Sequence, residues 1–326
     1  MATTHRQTSP WCVVIADDHG HDWAPVLNTH EAPSPVQYAR FGGSTTLLQR
    51  ALARATHIAP ASQVMVTVLD EYRDFWEPSL WFVRPEHRFV CEGRAESTLT
   101  SAAAVLKIAD ASPSNVVVIA PARVHVLRES LLAAALDRAL CTLPSIPEGV
   151  LTFAMIDEEC GVDEDYLVLD RASVRSPALV LGVARRPSSW VANHLRLQGA
   201  MIASGVMIGY AGVFAAHISR QWPGLTRKLN RAAYAATAVS AECEISSRLS
   251  SRTARLTLAS LRWQAPTLKQ RALCVNGCGW NGLRSARAVA RTYDYIANLE
   301  RIRSFRGCTA TPAGSSGIDS ARLGLI

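Results

Sequence analysis

The sequence predicts an α/β protein with a Rossmann-like three-layer architecture, in which helices cover both faces of a central, mostly parallel sheet of mixed type. Three observations predict it. Short apolar segments alternate with helical patterns, the segment 116–120 is apolar at every position, and the segment 12–16 ends in a polar, glycine-containing loop. A fully apolar segment is typical of a strand covered on both faces. A loop that follows such a strand is where open α/β sheets place ligands.

The same patterns give the elements in order. Strands are expected at residues 12–16, 64–69, 89–91, 116–120, 150–156, 179–183 and 206–210. Helices are expected before Ile58, with Ser44 as the N-cap, and at 97–109, 129–140, 213–222, 225–238 and 284–303, from the spacing of apolar residues and the flanking turn residues. The uncharged stretch 199–216 is interpreted as a buried strand, turn and helix and not as a membrane span.

Composition indicates a globular chain. It has 326 residues, of which 48% are hydrophobic and 19% charged. We expect one domain over residues 11–306, with a helical, basic part at 220–306, and a flexible tail at 307–326 that is rich in Gly, Ser and Thr. The first ten residues lack an apolar export signal, and the eight cysteines are scattered. The chain is therefore expected to be cytoplasmic, with reduced thiols and no membrane association.

Positive charge is concentrated late in the chain. Residues 220–306 hold 16 Lys and Arg against four Asp and Glu, whereas the whole chain carries a net charge of +7. A basic face could contact phosphates or an acidic partner, and a solvated arginine-rich surface would give the same pattern. Nucleic acid is not an expected partner, because no nucleic-acid motif or interleaved aromatic pattern accompanies the charge.

A series of short motifs resembles the sugar-phosphate nucleotidyltransferases, most closely the mannose-1-phosphate guanylyltransferases. The first loop of that family, L-A-G-G-x-G-T-R-L-W-P-L, corresponds to Ile15–Val26. Further motifs follow in the family's order: Pro35-Val36-Gln37-Tyr38 for P-K-Q-F, Thr46-Leu47-Leu48-Gln49 for S-L-L-Q, Ser97-Thr98 in the region of R-N-T-A-P, Pro121-Ala122-Arg123 for P-A-D, Leu151–Met155 for V-T-F-G-I, Arg185-Arg186-Pro187 for E-K-P, Ala203-Ser204-Gly205 for N-S-G, and Gly279-Trp280-Asn281-Gly282 for G-W-x-D. The resemblance spans roughly residues 12–295 and rests on order and spacing, since no single motif is specific.

The resemblance implies the nucleotidyltransferase fold and two groups of ligand-binding residues. Nucleotide binding falls on Ala16, Asp17, Asp18, Gly20, Gln37, Ser97, Thr98 and Arg123. Binding of a sugar phosphate falls on Arg186, Ser204 and Gly205. The family also uses Mg²⁺, held by the Asp of P-A-D and the Asp of G-W-x-D.

The departures from the family fall on its phosphate- and metal-binding positions. Two glycines of the first loop are Asp17 and Asp18 here, and the two metal-binding Asp are Arg123 and Gly282. A carboxylate side chain in that loop would crowd and repel a triphosphate. Each electrostatic contact to a transition state contributes on the order of 3 kcal/mol, so their joint loss predicts an impaired enzyme. We therefore assign no catalytic residue and no metal ligand, and no cofactor is certain because the family's Mg²⁺ positions are lost.

Three functions follow from these observations. The first is a catalytically impaired protein that binds a nucleotide or nucleotide-sugar, or that acts as a homo-oligomer or as the partner of an active paralogue. The second is a divergent active nucleotidyltransferase that uses a sugar 1-phosphate. The third is an α/β binding module with a basic face for an acidic partner. A metal held by His19 and His21 of the first loop is a further alternative to a solvated loop or an ion pair with Arg123.

Overall fold

The computed structural model describes residues 9–17, 35–91, 97–156, 164–170, 177–221, 223 and 268–308. The strands in these ranges are β1 (Trp11–Ala16), β2 (Val64–Leu69), β3 (Arg88–Cys91), β4 (Val116–Pro121), β5 (Val124–Val126), β6 (Val150–Met155), β7 (Tyr166–Leu169), β8 (Ala178–Ala184), β9 (Met201–Tyr210), β10 (Gln270–Val275) and β11 (Trp280–Gly282). The helices are α1 (Leu47–Ile58), α2 (Arg73–Trp76), α3 (Ser97–Ala111), α4 (Glu129–Thr142), α5 (Ser189–Leu197), α6 (Ala211–Gln221) and α7 (Ala286–Cys308).

Nine of the described strands form one mixed sheet in the order β3-β2-β1-β4-β9-β6-β10-β8-β7. β1 pairs in parallel with β2 and β4, and β6 pairs in parallel with β10. β9 is antiparallel to β4 and β6, and its first residues also pair with β7. The predicted mixed sheet with mostly parallel strands is confirmed. β5 and β11 form a separate antiparallel pair beside it.

Both faces of the sheet carry helices, because alternate residues of each central strand point to opposite sides. Cys12 and Val14 of β1 belong to the apolar cluster that contains the buried faces of α1 and α4. Val13 belongs to the opposite cluster, with Val105 of α3 and Phe214 of α6. This is the predicted arrangement of three layers.

Element boundaries differ from the expectation in a few places. Thr46, and not Ser44, is the N-cap of α1: its hydroxyl accepts a hydrogen bond from the Gln49 amide, and the Gln49 side chain accepts one from the Thr46 amide. Strand β9 begins at Met201, five residues before the expected start, because the Gly205 bulge lies within the strand and does not end it. Helix α7 continues through Cys308, past the predicted start of the tail.

The uncharged stretch 199–216 forms β9 and the start of α6, as predicted. None of the helices within the described ranges combines the length and the apolar character needed to cross a membrane. The described cysteines Cys12, Cys91, Cys141, Cys274 and Cys278 are free thiols. The expected helix at 225–238 and residues 309–326 of the expected tail lie outside the described residues.

Candidate functional site

A buried carboxylate, that of Asp17, lies at the carboxyl end of β1. Asp17 follows directly on β1, has 1% of its surface exposed, and accepts a hydrogen bond from the Thr100 hydroxyl of α3. Thr100 lies near the start of this helix, where the positive end of the helix dipole stabilises a negative charge. The side chain of Asp17 therefore packs into the protein and does not lie on a solvated loop tip, whereas its expected contact with a nucleotide stays a prediction.

Two side chains of the next segment hold the same strand end. Gln37 is fully buried, and its Nε2 donates a hydrogen bond to the Ala16 carbonyl at 3.2 Å. The Tyr38 hydroxyl donates to the same carbonyl at 3.4 Å. Burial raises the pKa of Tyr38 above its usual range, so the phenol keeps the proton that it donates. The structure thus brings Ala16 and Gln37 together, with the Gln37 amide bound to the protein backbone.

The two positions at which the resemblance places metal-binding Asp also come together. Val124 of β5 lies opposite Gly282 of β11, and the Leu283 amide donates to the Arg123 carbonyl at 3.4 Å. Arg123 and Gly282 are therefore neighbours on paired backbones, although 159 positions of the numbering separate them. Neither residue offers a carboxylate.

A carboxylate that the sequence analysis missed fills the space beside Gly282. A Cβ atom at position 282 would lie 2.7 Å from Glu164 Oε1 and 2.7 Å from the Trp280 ring. Glu164 is buried, with 5% of its surface exposed, and precedes the short strand β7. A side chain at position 282 would therefore have to displace the Glu164 carboxylate and the Trp280 ring. The available signal was the acidic run 163–165 in front of an apolar segment.

Arg284 forms ion pairs with this carboxylate and with the next one. Its Nε lies 3.5 Å from Glu164 Oε2, and its Nη1 lies 3.2 Å from Asp165 Oδ2. Buried carboxylates are stable only with such partners, because removing a charge from water costs several kcal/mol. The guanidinium of Arg284 thus lies beside the position where the resemblance places Mg²⁺, with its charge engaged by two carboxylates.

Asp165 connects this ion-pair cluster to a predicted ligand residue. The Arg186 amide donates to Asp165 Oδ1 at 3.2 Å. Arg186 has a φ of +37°, a left-handed conformation that is unfavourable for a residue with a Cβ. The hydrogen bond to Asp165 offsets part of that cost and fixes the backbone of Arg186 near Arg284. Its side chain is exposed.

Ser204 and Gly205 form a bulge in the middle of the sheet. The register of β9 with β6 shifts between Thr152 and Ala154, and the Ser204 hydroxyl accepts a hydrogen bond from the Val206 amide at 3.0 Å. Gly205 has a φ of +82°, and a Cβ there would lie 3.3 Å from the Pro121 ring at the end of β4. Bulges of this kind often occur next to binding sites. This one brings Gly205 close to the segment that carries Arg123.

Several predicted residues cannot be placed. Asp18, Gly20, His19 and His21 lie outside the described residues, and Ser97 and Thr98 begin α3 without a described side chain. In the ranges that the structure does describe, no group of three or more His, Cys, Asp or Glu side chains could hold a metal. The residues at the predicted metal position do not fit Mg²⁺, because the side chains of Arg123 and Gly282 provide no oxygen ligand and both nearby carboxylates, Glu164 and Asp165, are paired with Arg284.

Comparison with known proteins defines the fold. No protein-family model matches the sequence, and no curated protein matches it. Solved structures do match. Mannose-1-phosphate geranyltransferase from Thermus thermophilus matches with a TM-score of 0.65 and 16% identity, over 88% of this chain and 79% of that one. Mannose-6-phosphate isomerase from Helicobacter pylori matches with a TM-score of 0.57 and 11% identity, over 84% and 99%. Inositol-1-phosphate CTP transferase from T. maritima matches with a TM-score of 0.51 and 12% identity, over 90% and 98%.

At these identities the comparisons show the fold and nothing finer. The chain has an α/β fold with a mixed central sheet, similar to the folds of sugar-phosphate nucleotidyltransferases. The fold class expected from the sequence is thereby confirmed. Fold alone does not establish an activity, which must be argued from the site.

Proposed function

We propose that this chain is a nucleotidyltransferase-like protein, similar to the mannose-1-phosphate guanylyltransferases, that binds a nucleotide or nucleotide-sugar without the family's ordinary Mg²⁺-dependent transfer. One observation carries the proposal: Arg123 and Gly282 lie side by side at the predicted metal position, and the Glu164 carboxylate fills the space beside Gly282. As the partner of an active paralogue, the chain would need no catalytic reaction at this site.

The electrostatics of the cluster support a loss of catalysis. Transfer at a phosphate needs positive charge placed where negative charge develops on the phosphate oxygens. Arg284 is already occupied by Glu164 and Asp165, so its charge is largely neutralised. Losing one such electrostatic contact costs on the order of 3 kcal/mol, roughly a hundredfold in rate, and here the metal ligands are lost together.

The positions of Gly205 and Arg186 support the binding of a ligand. Gly205 stays close to the end of β4, and Asp165 fixes the backbone of Arg186 in an unusual conformation. Strain of this kind is often retained at functional sites. Arg186 offers a guanidinium for a sugar phosphate, and the buried side chain of Asp17 leaves less carboxylate exposed than the sequence implied.

Thermal unfolding of the full chain tests the proposal. GTP and GDP-mannose are each added with Mg²⁺ or with chelator, and we expect GDP-mannose to stabilise the protein equally in both. A ligand at about 100 times its dissociation constant stabilises by roughly 2.7 kcal/mol. R186A should weaken the shift, whereas the neighbouring R185A is the matched control. Absence of any shift with either ligand would contradict nucleotide binding.

A turnover assay separates the proposal from the divergent enzyme. Purified protein is incubated with GTP, mannose 1-phosphate and Mg²⁺, and released pyrophosphate is measured. We expect no turnover. Release at an ordinary enzymatic rate, on the order of 1 s⁻¹ or faster, would instead favour the active transferase. Salt-sensitive binding to polyanions without nucleotide binding would favour the third function, a binding module with a basic face. Most residues of the basic part, 224–267, lie outside the described ranges.

A further inference from the structure

A cavity lies between α1 and α4, and its lining contains none of the residues of the ion-pair cluster, Glu164, Asp165 and Arg284. It has a volume of about 480 Å³, which is within the range of small-molecule sites. Its lining includes both charged and hydroxyl-bearing side chains, among them Thr45, Arg50, Arg54, Glu129 and Ser130. Apolar side chains complete the walls, including Val126, Leu127, Ala133 and Leu136. The cavity could therefore hold a molecule that has a charged end and an apolar body.

Arg50 carries a positive charge that hydrogen bonds to neutral groups hold in place. Its Nη2 donates to the carbonyls of Phe41 at 2.5 Å and Gly42 at 2.9 Å, and its Nε donates to the Thr45 hydroxyl at 3.3 Å. Among the described residues, no hydrogen-bond partner contacts Nη1, and no carboxylate lies within 4.0 Å of the guanidinium. A guanidinium fixed in this way is preorganised to bind an anion.

Arg54 shows the contrasting case on the same helix. Its Nε and Nη2 each donate to one oxygen of Glu129 at 2.8 Å, which is the paired geometry of a bidentate ion pair. This pairing uses the one carboxylate that lines the cavity. His57 lies 3.8 Å from Asp137. Glu129 also attracts the charge of Arg50, but without an ion pair within 4.0 Å. Burial has the larger effect and lowers the pKa of Arg50, because the charged form is partly desolvated.

We propose that this cavity binds a small phosphate monoester, whose phosphoryl group is held by Arg50 and whose organic group contacts the apolar wall. Arginine suits the group because its planar nitrogens match phosphate oxygens. The Ser130 hydroxyl is placed to donate a further hydrogen bond from the first turn of α4. The site is separate from the proposed nucleotide site, so either can fail without the other.

Calorimetric titration of the full chain with phenyl phosphate and with inorganic phosphate tests the site. We expect phenyl phosphate to bind more tightly than inorganic phosphate, because only its ring contacts the apolar wall. R50Q should weaken phenyl phosphate binding by about tenfold or more. R84Q removes one exposed positive charge elsewhere and should leave the affinity unchanged.

A second variant keeps the test decisive if R50Q does not fold. A133F places a ring in the cavity wall and should abolish phenyl phosphate binding while Arg50 stays intact. Three results would overturn the proposal: no binding of phenyl phosphate at millimolar concentration, equal affinity for R50Q and the parent chain, or loss of binding in R186Q but not in R50Q. The last result would place the phosphate in the nucleotide site instead.

Discussion

Introducing an aspartate at position 282 tests whether the predicted metal position is filled by the protein itself. A Cβ there would lie 2.7 Å from Glu164 Oε1, so even alanine forces a displacement that costs about 1–3 kcal/mol. An aspartate adds a like charge. At about 4 Å and an effective dielectric constant of about 20, two carboxylates repel by about 4 kcal/mol. Attraction to Arg284 reduces this repulsion, so we expect G282D to destabilise the fold by about 3–5 kcal/mol.

Urea unfolding followed by tryptophan fluorescence measures these differences. G282A is the matched control, because it carries the steric cost without the charge. The double variant E164Q/G282D should regain the electrostatic part, since the neutral amide no longer repels the new carboxylate. Millimolar Mg²⁺ or Mn²⁺ should leave G282D unchanged. Selective stabilisation of G282D by either metal, or equal free energies of unfolding for G282A and G282D, would refute the reasoning.

Two further predictions concern buried polar groups. T100V removes the hydroxyl that donates to the buried Asp17 carboxylate and should lower the free energy of unfolding by about 1.5–3 kcal/mol. The control T56V changes a threonine on the exposed face of α1 and should alter the free energy of unfolding little. Equal losses for T100V and T56V in urea titrations would contradict the role of the hydrogen bond. Burial and the nearby arginines of α1 lower the pKa of His125 from 6.5 to about 4. Below pH 6.5 the unfolded chain binds a proton that the folded chain does not, so stability is full above pH 6.5 and falls toward pH 4 by up to about 1.4 kcal/mol per pH unit. H125Q should flatten that dependence, and an unchanged slope would count against it.

The parts of the fold that could be predicted from the sequence are those whose local pattern matches their environment. β2 and β6 are apolar at nearly every position because both faces are covered. β10 was missed although it lies in the middle of the sheet. Its first residues are polar, and Arg271 is exposed. α5 was missed because it is short and buries only Ala192, so its pattern is weak.

The residues of the candidate site also divide into those that could be predicted from the sequence and those that could not. Arg123 and Gly282 could be predicted as a pair because short motifs mark both positions, and β5 and β11 bring them together. Glu164 and Asp165 could not, because their role depends on where β7 and Arg284 meet in the folded chain. The orientation of Asp17 likewise depends on the distant Thr100. The acidic run 163–165 is a local signal for charged residues, but it does not indicate which distant residues they contact.

The position of β9 has a consequence for synthesis on the ribosome. β4 and β6 do not pair with each other. Both pair with β9, residues 201–210, which is synthesised after them. The other neighbour of β6, β10, comes later still. A nascent chain that ends before residue 201 therefore exposes unpaired edges on strands that are central in the finished protein. Unpaired edges promote association between chains, so translation between the emergence of β6 and that of β9 is the interval in which this protein most needs a chaperone.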